Sequence, residues 1–93
     1  MRKLEQKMIA ALNSAENFNG GNTTVIFDKN TNQSSIFLHG HLIAEYNHKR
    51  CAVYANIETL MHYPTLTTKS RLRALGVNVY TKKGVTYLND IAV

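Results

Sequence analysis

The chain has one cysteine, one proline and no tryptophan in 93 residues. A single thiol, Cys51, excludes an internal disulfide and suits a reducing compartment or a fold that needs no staple. No stretch reaches the roughly 18 apolar residues of a membrane-crossing helix. The basic opening Met1-Arg2-Lys3 has no apolar run behind it, so no signal peptide is expected. Catalytic signatures are missing as well. The Gly20-Gly21 pair lacks the Lys-Ser/Thr that completes a phosphate loop. No Cys-x-x-Cys or His-x-x-x-His spacing frames a metal. Glu45 and Glu58 show no pairing suited to acid–base work. The expectation is therefore no enzyme, no metal and no cofactor.

Negative charge is missing from one region in particular. Residues 59–89 hold no Asp or Glu but five cations, Lys69, Arg71, Arg73, Lys82 and Lys83. Residues 1–58 hold six cations and five carboxylates, so most of the formal net charge of +5 lies in the last third. Such asymmetry points to an anionic partner, although a solvated basic face is the plainer reading.

These cations lie in Thr65–Leu88, the stretch around which the chain is organised. Pro64 keeps the approach extended. Thr67 or Thr68 is suited to cap a helix over 67–75, and Gly76 to end it with a left-handed residue. At 100° per residue Thr68, Leu72 and Leu75 share one face, and Lys69 and Arg73 share another. The pattern then changes to period two. Val77–Thr81 and Val85–Leu88 flank Lys82-Lys83-Gly84 and predict a β-hairpin with lysines at its tip. In that hairpin Tyr80 and Tyr87 face each other, either to stabilise it or to stack on exposed bases.

The rest of the chain suggests a single small α+β domain over residues 1–93, able to bury roughly 60–65% of its unfolded surface. Residues 3–16 place Leu4, Met8, Leu12 and Ala15 at helical spacing. Asn17–Asn22 reads as a loop. Residues 23–28, 34–39, 42–46 and 51–56 read as four short strands, an antiparallel meander that needs a helix on one face. Residues 57–63 are ambiguous. If helical, they make 57–75 a helix-turn-helix followed by a wing, with 67–75 as the reading helix. Thus the fold expected is an N-terminal helix, a four-stranded antiparallel meander, a short basic helix and a C-terminal β-hairpin. Cys51 reads as a small core residue in its strand rather than a nucleophile. His39 and His41 read as hairpin-turn histidines rather than ligands.

Two strings, NTTV…SIFLHGHLIA and YPTLTTKSRLRALG, resemble a family of small, mostly uncharacterised proteins of tailed bacteriophages. The matching residues are Asn22, Thr23 and Val25, Leu38 to Ala44, and Thr67 to Leu75. His41 and Arg73 stand where the family usually has asparagine, and the second change adds charge to the basic helix. The resemblance implies action in the cytoplasm of an infected bacterium and no established activity, cofactor or catalytic residue. Three functions follow as expectations. The first is a nucleic-acid-binding accessory protein. Lys69, Arg71, Arg73, Lys82 and Lys83 would hold phosphates, with the helix-start amides at Thr67 and Thr68 holding one more. The second is a modulator of a bacterial host protein, and the third a minor virion component. No membrane partner is expected, and a homodimer is one way to close the open edges of so small a meander.

Overall fold

The structure is a computed structural model, which describes residues 2–93. It is α+β. Helix α1 (Lys3–Asn13) precedes five strands, β1 (Phe18–Gly20), β2 (Thr23–Asp28), β3 (Gln33–Leu38), β4 (His41–Asn47) and β5 (Ala52–Ala55). Two helices follow, α2 (Ile57–His62) and α3 (Leu66–Ala74), and then strands β6 (Val79–Lys82), β7 (Val85–Leu88) and β8 (Ile91–Ala92). β1 to β5 form an antiparallel sheet in chain order, and β6 to β8 a second, three-stranded one.

The first sheet therefore has five strands, one more than expected. Phe18–Gly20 lies in the stretch read as a loop, and it pairs with β2 through Phe18↔Val25 and Gly20↔Thr23. Helix α1 stops at Asn13, with Ala15 in the left-handed region at φ 51°. The ambiguous residues are a helix. The Asn56 side chain accepts the Thr59 N–H at 3.0 Å and caps α2. Cys51 lies in the turn before β5, exposed and at φ 52°, so it is no core residue.

Alternation sets the core. Ser34, Ile36 and Leu38 of β3 point inward and are buried. With Val25, Ile43 and Ala44 they meet Met8 and Leu12 of α1. Leu60, Leu72, Val79 and Leu88 belong to the same cluster, so α2, α3 and the second sheet share one core with the first. Each fully buried Ile or Leu of this kind contributes about 1.5–3 kcal/mol. Gly76, at φ 92°, ends α3 as expected, and the Val77 N–H closes back on the Leu72 carbonyl at 3.0 Å.

Candidate interaction surface

Helix α3 begins earlier than its threonines suggest. The cap is Thr65, whose hydroxyl accepts the Thr68 N–H at 3.1 Å. Thr68 is itself buried, and its hydroxyl bonds that of Thr65 at 2.9 Å. Thr67 is half-buried in the first turn. The amides expected to be free at Thr67 and Thr68 thus lie inside a capped turn.

The basic face of this helix is largely internal. Lys69 is 6% exposed, and its ammonium donates to the Thr81 hydroxyl of β6. Arg71 is 3% exposed. Its guanidinium reaches Glu5 of α1 at 2.7 Å, the Thr23 hydroxyl of β2 at 3.0 Å and the Asn22 side chain at 3.3 Å. The expectation that Lys69 shares an outer face with Arg73 is corrected accordingly. So is the place of Arg71 among the phosphate ligands, because it is buried and each of its three guanidinium nitrogens bonds inside the protein. Arg73 alone of the three is exposed, and it donates to the Val79 carbonyl at 3.3 Å.

Glu5 is the hub of this network. It is 2% exposed, accepts from the Ser70 hydroxyl at 2.6 Å and from the Arg2 backbone N–H at 3.3 Å, and pairs with Arg71. Burial pushes its pKa up. The Ser70 and Arg71 bonds, the Arg2 N–H and the Arg71 charge outweigh that and leave it below the ordinary 4.5. A carboxyl with a depressed folded pKa stabilises above its unfolded pKa, and that contribution is lost as pH falls through the folded value. The protein is therefore expected to lose stability below about pH 4.5, and a Glu5→Gln variant to show a flatter acid limb in urea titrations. Parallel acid limbs in the two proteins would mean that Glu5 is not the group responsible.

The hairpin is present, but its first strand runs over Val79–Lys82 rather than 77–81, Lys82 pairs with Val85, and β8 adds a third strand. Tyr80 pairs with Tyr87 across β6 and β7, their rings stacked at 5.2 Å, and the Tyr80 hydroxyl donates to Asp90 at 2.9 Å. Lys82 and Lys83 are exposed at the tip. Of the five cations in 59–89, Arg73, Lys82 and Lys83 remain on the surface. Over the described residues, nine exposed cations stand against five exposed carboxylates, spread over both halves of the chain.

The histidines are apart. His41 stacks on Tyr63 at 4.3 Å, His48 meets the Ser34 hydroxyl at 2.7 Å, and His62 bonds the Glu58 carbonyl at 2.9 Å. Among the described residues no three His, Cys, Asp or Glu side chains gather as metal ligands do. What the sequence reading missed is apolar. Ile57 and Met61, one turn apart on α2, are 50% and 59% exposed, Tyr63 is 47% exposed, and Leu66 at the start of α3 is 79% exposed. Of the apolar residues at 57, 60, 61, 63 and 66 only Leu60 is buried, and spacing alone does not say which of them the core takes.

The sequence model of one family, the Kyanoviridae Gp96 protein, matches residues 1–92. The chain belongs to that family. No curated protein and no solved structure matches it. Membership makes this a bacteriophage protein. In this Gp96-family chain the two strings that carry the resemblance meet physically. Asn22 and Thr23 from the first hold the Arg71 guanidinium from the second, and Ser70 holds its partner Glu5. Those motifs therefore assemble the fold. Among the described residues no helix is long and apolar enough to cross a membrane.

Proposed function

We propose that this phage protein is a binding protein without catalytic chemistry, which acts in the cytoplasm of the infected bacterium by docking on a host protein. One observation carries the reading: Met61, Tyr63 and Leu66 stand exposed within six residues, while the helix that follows turns most of its cations inward. Contiguous exposed apolar surface is a mark of contact sites. The excess of exposed cations over the described surface as a whole suits an acidic partner, whose charge would steer encounter while the apolar contacts hold. The segment also ends in a capped helix, so its side chains sit on a rigid backbone.

A second reading, nucleic-acid binding, rests on Arg73 and on Lys82 and Lys83 beside the stacked tyrosines. It now has three phosphate ligands rather than five, and log K against log salt should fall with a slope of about −2.7. One experiment separates the two. The tagged protein is incubated with lysate of the bacterial host, with and without nuclease, beside a Met61→Asp/Leu66→Asp variant and an Arg73→Glu/Lys82→Glu/Lys83→Glu variant. The docking reading expects one host protein that survives nuclease, is lost with the apolar variant and is kept with the charge variant. Loss of the captured protein on nuclease treatment transfers the function to nucleic acid. Recovery with purified particles instead assigns it to the virion.

A further inference from the structure

The backbone of β5 is paired on one side only. The Asn56 N–H donates to the Ile43 carbonyl at 2.8 Å, and the register Glu45↔Tyr54 and Asn47↔Ala52 continues that hydrogen-bonded set. Antiparallel ladders alternate, so the N–H and C=O groups of Val53 and Ala55 point away from β4, toward the end of the sheet. Natural proteins guard such edges with charge, proline or extreme shortness. The other edges here are guarded. β1 has three residues and β8 two. At β6 the Val79 carbonyl is taken by Arg73, Lys69 reaches Thr81, and the strand ends at Lys82. β5 reads Ala-Val-Tyr-Ala, with neither charge nor proline.

We propose that β5 is the interface of a homodimer, in which it pairs antiparallel with β5 of a second copy about a two-fold axis at Tyr54. This inference is independent of the docking reading above. The edge is complementary to itself. With Tyr54 on the axis, Val53 lies opposite Ala55 of the second copy and Ala55 opposite its Val53, and every outward N–H and C=O of the two residues meets a partner. The contact also covers apolar surface. Tyr54 and Ile57 are about half exposed beside the edge, and a groove of about 520 Å³ runs between β5 and the α3–β6 connection, walled by Val53, Ala55, Leu75, Val77 and Leu88. The two sheets become one of ten strands, and the open edge disappears.

The test uses the intact chain. Sedimentation equilibrium over a concentration series is expected to give a mass that rises from 10.5 kDa toward twice that value. Ala55→Pro removes an edge N–H that the sheet itself does not use, and proline is tolerated on edge strands. That variant is expected to keep its circular dichroism spectrum and sediment as a single chain. A second variant keeps the proposal open to refutation should the first not fold. Tyr54→Cys in a Cys51→Ser background places one thiol at a non-hydrogen-bonded site on the axis, where the Cα atoms of an antiparallel pair lie about 4.5 Å apart, within disulfide reach. Oxidation is expected to yield a covalent dimer there, and none from Ile26→Cys in the same background. A single chain at every concentration overturns the proposal. So does a dimer that forms no disulfide at Tyr54→Cys, since that dimer uses another surface; an extended peptide or foreign protein would then be the occupant of β5.

Discussion

Arg71→Met is expected to destabilise the protein by about 3–5 kcal/mol, because it strands a carboxylate in the interior. A chain of 93 residues has roughly 5–14 kcal/mol of total stability, so the variant would stand near its folding limit. The size follows from what is left behind. Glu5 would keep the Ser70 hydroxyl and the Arg2 N–H but lose its charge partner, while Thr23 and Asn22 lose a donor. A buried ion that loses one partner costs far more than the intact pair contributes. A Glu5→Leu/Arg71→Met double variant should therefore recover most of the loss, since it removes both charges together. Arg71→Lys is expected to fall between, because a lysine cannot reach the three acceptors that one guanidinium fork spans. Urea midpoints of the four proteins decide this. An Arg71→Met midpoint equal to the parent's would mean that the pair is solvated and holds nothing together.

Arg71 is also where reading the sequence met its limit. A helical wheel over 67–75 places Thr68 and Leu72 inside, and they are buried. It places Lys69 outside because the wheel takes apolar character as the sign of burial. In the fold, the buried arc of α3 includes Lys69 and Arg71, whose acceptors lie on β6, on β2 and 66 residues away on α1. Only the tertiary fold supplies those acceptors. One signal was nevertheless present. Glu5 lies at helical spacing from Met8 and Leu12, on the inward side of α1, and a carboxylate there requires a cation. Five cations sat in 59–89 with no carboxylate among them.

The strands were more legible, because period two survives in short runs. Ile36 and Leu38 face in, while Ser35 and Phe37 are half-covered on the other face. The register that sets Tyr80 opposite Tyr87 follows from a two-residue turn at Lys83-Gly84, whereas the three-residue turn Lys82–Gly84 read from the sequence would have set Tyr80 opposite Thr86. β1 was hidden because Asn and Gly favour loops in isolation, and Phe18–Gly20 is a strand only because β2 offers it an edge. Cys51 shows the opposite failure. Its neighbours alternate as a strand does, but the turn from β4 takes it at positive φ and leaves the thiol outside. The apolar surface at Met61 and Leu66 was missed for a related reason. An apolar residue in a small domain is assumed to face the core until the fold shows that Leu60 alone of its neighbours does.

That surface and the core can be told apart with two leucines of one helix. Leu72 has no exposure and joins α3 to both sheets through a cluster that includes Ile36, Ile43, Val79 and Leu88. Leu72→Ala is expected to cost about 2–4 kcal/mol, from lost transfer energy and from the cavity left behind. For a domain of this size that lowers Tm by roughly 10–25 °C. Leu66, six residues earlier, is 79% exposed. Leu66→Ala should change stability by no more than about 0.5 kcal/mol. Thermal unfolding of the two variants thus measures which face of α3 the core uses. If docking on a host protein is the function, the functional ranking is inverted: Leu66→Ala folds as the parent does and weakens capture, while Leu72→Ala still captures at temperatures where it is folded. Equal destabilisation by both would mean that Leu66 is covered in solution, and the apolar surface assigned to a partner would already be occupied.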